Sequence, residues 1–384
     1  GQVRAPDGAI VYIDPQPLIG GSFDVVLPTL GRTTLTITGI TEVVEGVTTI
    51  NGALDSDAEA TFTLSIEGNS LLGSIRSGEH TWLIEPSPAQ GGHLIRKIHR
   101  KSIAIAPDEP IYSEETVRGA KDAMAKTGGT GNVDILFLYA SDVSNPSSRA
   151  SDIVSRFNTV LANSVVSSNN FVSSVGVHQI YDTFAGENRT EILDKMVGRE
   201  APFEDVYTDA MFRAGADIAF LLVDEDDTAT DVGTYGRVGG KAAILSANSP
   251  FGLSTDDYAL GDNSAIHEIG HILGGHHETH SGTNKGKVKS DLAVQTIMGG
   301  YSECAFDGLP ASCERINYFS NPSVTYGGWD TGDVGDSDME SALETNMPIV
   351  SSWRDNGDPI APGIPSSISK TSLFCYGLNS INWA

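Results

Sequence analysis

The 384-residue chain has few basic residues and no long apolar run. No stretch approaches the roughly 20 apolar residues of a membrane-spanning helix, so insertion into a bilayer is not expected. The 24 lysines and arginines stand against 50 aspartates and glutamates, which gives a formal net charge of -26. The field of that charge repels nucleic acid and anionic lipid surfaces, and neither is expected as a partner.

Cysteine is also scarce, with three in the chain. A short turn-like segment separates Cys304 from Cys313, and a disulfide between them is expected in an exported protein, with two buried thiols as the alternative. Cys375 is then left as a free thiol or pairs outside this sequence. No leader stands before Gly1, which does not argue against export because leaders are removed. We expect a secreted, extracellular monomer.

The pattern of turns and apolar residues divides the chain into three regions and predicts an α+β (mixed) fold. Residues 1–115 carry short alternating runs, such as Phe62, Leu64 and Ile66 before Gly68, which are typical of an antiparallel β domain. A basic, proline- and glycine-containing segment from about Arg96 to Gly131 is predicted to be a linker, and it is a candidate for proteolytic processing. Residues 132–354 form a mixed domain, and 355–384 resemble a linker and the truncated start of a fibronectin-like β module.

Within 132–354, runs of apolar residues alternate with helical periodicity. Buried strands are predicted at 132–139, 175–183, 217–223 and 241–246. Helices are predicted around 153–165, 190–198, 203–215 and 339–350, and Pro348 is expected to kink or restart the last one. Strands that alternate with helices favour a twisted mixed sheet.

Five of the nine histidines lie between His267 and His280. His267 and His271 stand four residues apart, so a helix would place both imidazoles on one face where they could bind one metal ion. Gly274 can end that helix in a left-handed conformation, and the chain can then turn to bring His277 to the same ion. Three imidazoles leave a fourth position for water, which is the pattern of catalytic rather than structural zinc.

Glu268 follows the first predicted ligand directly. A carboxylate in that place can take a proton from a zinc-activated water and pass it to the leaving amine, so Glu268 is the predicted general base. His276 and His280 are rival third ligands, but neither has the spacing after the glycine turn. Use of Glu303 as third ligand, as in the thermolysin-like group, is a further alternative.

The elongated motif from His267 to His277 resembles the signature of the metzincin metalloproteases. That resemblance implies a methionine turn under the metal, here at Met298, and an edge strand at 241–246 that pairs with an extended substrate. The segment from Arg315 to Pro322 is similar to bacterial reprolysin-like enzymes, including the peptidyl-Asp metalloendopeptidases. Glu278 departs from the aspartate of reprolysins, and Tyr301 lies one residue later than the metal-binding tyrosine of astacins, although it remains a candidate catalytic residue.

The same resemblance implies that the N-terminal β region is a pro-domain that inhibits the enzyme. No cysteine precedes Cys304, which excludes a cysteine switch. Inhibition would instead use His99, Asp108 or Glu109, or simple steric cover of the cleft.

Two further groups of residues are candidates for binding. Acidic residues at 224–227 with Asp231, and aspartates at 330, 333, 336 and 338, could bind Ca²⁺ through oxygen ligands, although solvated acidic loops are the alternative. Arg315 could meet an acidic substrate side chain, or it could form a structural ion pair.

These observations predict a secreted zinc endopeptidase made as a zymogen, which acts on proteins or peptides. A catalytically silent, zinc-containing adhesion or matrix-binding protein is the alternative, and the intact Glu268 argues against it.

Overall fold

The computed structural model describes residues 8–11, 21–55, 57–77, 80–87, 92–98, 131–181, 183–224, 232–233, 236–237, 240–244, 249–300 and 313–354. These ranges combine a large curled antiparallel sheet with a smaller mixed sheet and a few helices, so the predicted mixture of α and β structure is confirmed. None of the helices in these ranges has the length and apolar character needed to cross a bilayer.

The first eight strands form one antiparallel sheet, called here the N-terminal sheet, in the order β1-β8-β7-β6-β5-β4-β3-β2. Apart from β1, which pairs with β8, neighbours in the sheet are neighbours in sequence, as in a meander. The strands are β1 Gly8–Val11, β2 Ser22–Leu27, β3 Gly31–Val44, β4 Val47–Leu54, β5 Asp57–Glu67, β6 Ser70–Ser77, β7 His80–Ser87 and β8 Gly92–Ile98.

Side chains of β5 alternate between the two faces of this sheet. Phe62, Leu64 and Ile66 of β5 join Trp82 and Ile84 of β7 in a hydrophobic core that belongs to the sheet itself. This confirms the alternating pattern predicted for β5. The opposite face is not left to solvent, because its hydroxyl-bearing residues are buried against the rest of the molecule.

Residues 131–354, called here the C-terminal region, are built on a five-stranded sheet in the order β10-β9-β11-β15-β14. The first four strands run parallel and β14 runs antiparallel at the edge. The strands are β9 Gly131–Ala140, β10 Asn170–Ile180, β11 Ile218–Val223, β14 Gly240–Ala242 and β15 Phe251–Thr255. Short two-residue strands are β12 Val232–Gly233, β13 Gly236–Arg237, β16 Val288–Lys289, β17 Val294–Gln295, β18 Glu314–Arg315, β19 Thr325–Tyr326 and β20 Trp329–Asp330.

The helices cover this sheet and carry the candidate site. They are α1 Pro146–Asn163, α2 Arg189–Gly198, α3 Met211–Ala214, α4 Asp256–Gly261, α5 Ser264–Ile272 and α6 Met339–Val350, with a π-helix at Val206–Ala210 and a 3₁₀ turn at Ser290–Leu292. Ile266, Ile269 and Ile272 of α5 are fully buried in the core of the C-terminal region. Burial of this apolar face fixes α5 on the sheet and leaves its other face to the histidines.

Several predicted boundaries are wrong. The strand predicted at 175–183 begins at Asn170, and the helix predicted at 203–215 is a π-helix followed by α3. Ala210 N–H donates to the carbonyl of Asp205, five residues back, and a helical apolar period does not distinguish this wider turn from an α-helical one. The helix α6 is not restarted at Pro348, because the proline lies in its last turns and costs few backbone bonds.

The linker predicted to begin near Arg96 is also corrected. Arg96 and Lys97 belong to β8, and Arg96 pairs with Glu85 at 2.9 Å. Most of the linker and the whole predicted C-terminal β module, 355–384, lie outside the described residues, so the domain boundaries at 115, 131 and 354 stay predictions.

Candidate metal centre

Three histidines converge at one point beside α5. The Nε2 atom of His267 lies 3.0 Å from that of His277 and 3.1 Å from that of His271, and the His271–His277 distance is 3.1 Å. His267 and His271 are buried, and His277 is partly buried. Tetrahedral ligands about 2.05 Å from a metal ion stand roughly 3.3 Å apart, so this spacing suits one ion.

The other ring nitrogens explain why the Nε2 atoms face one another. The Nδ1 atom of His267 lies 2.6 Å from the carbonyl oxygen of Ile297, and that of His271 lies 2.7 Å from the carbonyl oxygen of Gly275. A carbonyl can only accept, so each Nδ1 carries the proton and each Nε2 presents a lone pair. Lone pairs crowded together in this way fit a shared cation.

The backbone after His271 turns as the motif predicts. Gly274 adopts φ 91°, its N–H donates to the carbonyl of His271, and Gly275 N–H donates to the carbonyl of Gly270. This pair of bonds is a Schellman motif, which ends the helix and reverses the chain. The reversal carries His277 back to the two helical histidines.

Met298, the residue predicted to form a methionine turn, packs against α5. It is fully buried, and a Cβ on Gly270 would overlap its Sδ atom. The preceding Ile297 supplies the carbonyl that holds His267. The turn therefore supports the first ligand through the backbone and supports α5 through sulfur packing.

Glu268 is 1% exposed and lies beneath the edge strand β14. A Cβ built on Gly240 would stand 2.6 Å from Glu268 Cγ and 2.6 Å from the Leu253 carbonyl oxygen. The strand can approach Glu268 this closely because residue 240 has no side chain. The edge strand was predicted at 241–246 and is observed at Gly240–Ala242, while 245–248 lie outside the described residues.

Glu278, the residue after His277, is hydrogen-bonded to the segment that follows Met298. Its carboxylate accepts a hydrogen bond of 2.6 Å from the N–H of Gly300. Gly300 also lies against the ring of His277, since a Cβ there would be 2.8 Å from His277 Cγ. Glu278, which departs from the aspartate of reprolysins, thus accepts a hydrogen bond from the backbone of Gly300 beside His277.

The two rival histidines lie outside the trio. His276 stacks on His280 with ring centroids 3.7 Å apart. Burial and, to a smaller extent, the neighbouring His280 and His277 together lower the pKa of His276 to about 4. Within the part of the chain described, His267, His271 and His277 form the one group of three or more side chains that could hold a metal ion.

Arg315 and two aspartates of the second acidic group form ion pairs within the protein. Arg315 is 2% exposed and pairs with Asp262 at 3.2 Å, which is the structural ion pair named as its alternative role. Of the second acidic group, Asp333 and Asp336 pair with Lys287 and Lys285, and Asp338 caps α6. Some candidate residues lie outside the described ranges: His99, Asp108, Glu109, the acidic residues 225–227, Asp231, Tyr301, Glu303, Cys304 and Cys375. The predictions that involve them stay predictions. They include the Cys304–Cys313 disulfide and calcium binding at the first acidic group.

Two contributors were not found from the sequence. Gly240 could not be singled out among 42 glycines, because its contact with Glu268 joins residues distant in the chain. Asn263 begins α5 in a left-handed conformation, and its Nδ2 donates to Asn317 Oδ1 at 2.8 Å. The asparagine preceding a helix was a visible signal, although its partner was not.

Three histidines that converge beside a buried carboxylate form a candidate metal site, and the sequence comparisons find relatives that are named metalloendopeptidases. The chain is 25% identical over 170 residues to a peptidyl-Asp metalloendopeptidase of Stenotrophomonas maltophilia, covering 44% of this chain and 39% of that protein. It is 20% identical over 300 residues to a protein of the same name from Xanthomonas campestris, covering 75% and 68%. The chain thus spans well under half of the first relative.

Among solved structures, metalloproteinase-II from Bacteroides fragilis aligns with a TM-score of 0.49 at 10% identity, over 86% of this chain and 95% of that one. No protein-family model matches the chain.

Proposed function

We propose that this protein is a secreted, zinc-dependent endopeptidase of the metzincin type. The observation that carries the proposal is the convergence of three Nε2 atoms within 3.1 Å of one another, beside the buried Glu268. His267, His271 and His277 would hold the zinc. The histidine after the glycine turn completes the trio, which supports the metzincin arrangement over a distant glutamate ligand.

Zinc held by these three histidines would polarise the scissile carbonyl and acidify a water molecule. Glu268 is the general base, because it follows His267 directly and is held by Gly240 and the helix. Its carboxylate takes a proton from the attacking water and returns it to the leaving amine. Glu268 is almost fully buried, so bulk water does not screen its carboxylate. Its charge interactions are therefore stronger than they would be at the surface.

The edge strand β14 is the proposed substrate platform. It stands at the end of the central sheet, where an extended peptide can add as a further strand through backbone hydrogen bonds. Its first residue, Gly240, lies over Glu268, so a peptide bound there would pass the metal centre. The substrates are therefore proteins or unfolded peptides.

The relatives' names suggest that substrates containing aspartate should be tested first. The test is digestion of a peptide library by the zinc-loaded protein, with mass spectrometry of the products and N-terminal sequencing of the active species. Cleavage at defined sites that is abolished by a zinc chelator supports the proposal. Clustering of the cleavage sites at aspartate would add a substrate preference to it. Zinc-loaded protein that leaves every peptide intact would favour the silent, matrix-binding alternative.

We further propose that the N-terminal sheet is a pro-domain and that the enzyme is exported as a monomeric zymogen. The support is the position of the sheet before the metal-site region, joined to it by residues 99–130. N-terminal sequencing of the active species locates the processing site, and an active species that retains residues 21–98 covalently would contradict this part.

A further inference from the structure

The segment 314–318 runs beside the methionine turn and holds it through the backbone. Its first two residues form β18, which pairs in parallel with β17 just before the turn. The N–H of Ile297 donates to the carbonyl of Tyr318 at 2.8 Å. Ile297 is also the residue whose carbonyl oxygen lies 2.6 Å from Nδ1 of His267. The segment therefore fixes the acceptor that orients the first predicted ligand.

Two side chains of the same segment contact the start of α5. A guanidinium nitrogen of Arg315 lies 3.2 Å from the carboxylate of Asp262, and Oδ1 of Asn317 accepts a hydrogen bond of 2.8 Å from Nδ2 of Asn263. Asp262 and Asn263 immediately precede Ser264, the first residue of α5. One segment thus holds the methionine turn through its backbone and the active-site helix through its side chains.

Arg315 also contacts the chain on the far side of the site. Its second terminal nitrogen, Nη2, donates to the carbonyl of Gly299 at 3.3 Å. The next residue, Gly300, lies against the third predicted ligand, since a Cβ there would stand 2.8 Å from His277 Cγ. The buried guanidinium therefore joins the start of α5 to the turn beside His277.

The side chain of Asn263 serves this contact rather than the end of its own helix. Asparagine before a helix ordinarily accepts a hydrogen bond from one of the first free N–H groups. Asn263 instead has φ 57° and makes no such capping bond. Within the described part of the chain, its side chain bonds to Asn317 alone, and its Oδ1 atom is buried without a partner. The amide is thus directed at Asn317 although a cap is lost.

The position of Asn263 is transmitted directly to a metal ligand. The N–H of His267, the fourth residue of α5, donates to the carbonyl of Asn263 at 3.0 Å. Metal–ligand distances must lie within about 0.2 Å of their ideal values for tight binding. A small shift of Asn263 would therefore move His267 relative to the methionine turn and disturb the spacing of the three Nε2 atoms.

We propose that Asn263 and Asn317 are positioning residues of the metal centre. Their hydrogen bond, beside the Arg315–Asp262 ion pair, fixes α5 against the methionine turn at the spacing that one metal ion requires. The proposal rests on the proposed function in one respect, which is that the ion is Zn²⁺. It concerns metal affinity and ligand geometry, and it does not depend on cleavage of peptides.

The test uses the full chain, freed of metal, and measures the Kd for Zn²⁺ by competition with a fluorescent chelator. Asn263→Gly removes the amide but keeps the left-handed backbone, which glycine adopts freely. Asn317→Ala removes the acceptor from the other side. Each should raise Kd about tenfold, the lower end of the effect of changing groups behind metal ligands. Either variant suffices if the other does not fold.

Two further variants show whether the hydrogen bond itself is responsible. Asn317→Asp keeps the Oδ1 acceptor for Asn263, and Arg76 already donates to that oxygen at 3.2 Å. This variant should restore Kd to within about threefold of the wild type. The double variant of Asn263→Gly with Asn317→Ala should be no weaker than the weaker single variant, because both changes remove one bond.

Asn158→Ala is the matched structural control. Asn158 is a part-buried asparagine of α1 that makes two hydrogen bonds of 2.9 Å with the backbone of Val172. Its loss should lower the free energy of unfolding of the metal-free protein and leave Kd unchanged. Visible absorption of the Co²⁺-loaded proteins reports the ligand arrangement, and it should change in Asn263→Gly but not in Asn158→Ala.

Three results would overturn the inference. They are a wild-type Kd in both Asn263→Gly and Asn317→Ala, an equal rise of Kd in Asn158→Ala, and fully additive effects in the double variant. Each leaves the proposed function intact if the wild type binds Zn²⁺ and cleaves peptides. A wild type that binds Zn²⁺ without cleaving peptides contradicts the proposed function alone, and one that binds no Zn²⁺ contradicts both.

Discussion

Gly240 of the edge strand lies against the side chain of Glu268, so closely that a Cβ on residue 240 would stand 2.6 Å from Glu268 Cγ. The same Cβ would stand 2.6 Å from the Leu253 carbonyl oxygen, which belongs to the paired strand. Because one of these neighbours is backbone, rotation of the Glu268 side chain alone cannot relieve the overlap. The position of the proposed base therefore depends on a glycine more than 20 residues earlier in the chain.

Gly240→Ala should lower kcat for peptide cleavage by about 10- to 100-fold, because displacement of a catalytic group by an ångström has effects of that size. Zinc content should stay near that of the wild type, since the three histidines are untouched. Gly39→Ala is the matched control, because a Cβ there meets nothing within 4 Å. Wild-type kcat in Gly240→Ala would show that this contact does not position Glu268.

His277→Ala should weaken zinc binding by more than about 100-fold, since even changes to groups behind the ligands cost 10- to 100-fold. The measurement is the zinc-to-protein ratio by mass spectrometry after gel filtration against a weak chelator. His280→Ala, which alters the stacked pair instead, should retain zinc. Full retention of zinc by His277→Ala would point to a different third ligand, such as Glu303.

Glu278→Ala should lower zinc affinity by about tenfold, because it removes the acceptor for Gly300 N–H beside His277. Glu278→Gln keeps a carbonyl oxygen in the same place and should restore most of the affinity. Competition with a fluorescent zinc chelator measures both. If both variants lose affinity equally, the negative charge rather than the hydrogen bond is the important property, and this account of Glu278 is wrong.

Stability should depend on the protonation of Asp256, whose carboxylate pairs with Arg149 of α1 at 3.1 Å. The pKa of Asp256 is raised to about 7, chiefly by burial; Arg149 opposes the rise, and the charges of Asp257, Asp224 and Glu85 contribute to it. The folded chain then holds a proton that the unfolded chain releases near pH 3.9, its ordinary pKa. The stabilisation from this group is present below about pH 4 and is lost as pH rises through about 7.

Asp256→Asn should therefore flatten the fall in unfolding free energy between about pH 5 and 7, by at most about 1.4 kcal/mol per pH unit. Denaturant titrations of the metal-free wild type and variant measure this, and comparison of the two removes the contribution of the histidines. Parallel pH curves would mean that Asp256 has the same pKa in the folded and unfolded chains.

The convergence of the three histidines could be predicted from the sequence because their geometry is local. Helical spacing sets His267 and His271 on one face, and Gly274 supplies the positive φ that the reversal to His277 requires. The buried strands were predictable for a similar reason, since runs such as 135–139 are apolar throughout and suit burial on both faces.

The buried polar face of the N-terminal sheet could not be predicted in this way. Thr61, Thr63 and Ser65 alternate with the apolar residues of β5, and such a pattern ordinarily indicates a face in water. Thr49 and Ser65 are fully buried, with their hydroxyls hydrogen-bonded to each other and that of Thr49 also bonded to Ser151 of α1. Only the partner helix, more than 80 residues later, reveals that these hydroxyls form an interface.

The central claim is that three histidines and Glu268 form a hydrolytic zinc centre, and Glu268→Gln tests it most directly. The amide keeps the shape of the side chain but cannot accept the proton of the attacking water. The measurement is zinc content and peptide cleavage by the same preparations of wild type and variant. We expect equal zinc, with cleavage by the wild type and at least about a 1,000-fold lower rate in the variant. Equal cleavage by both proteins, or zinc-loaded wild type with no cleavage, would contradict the claim.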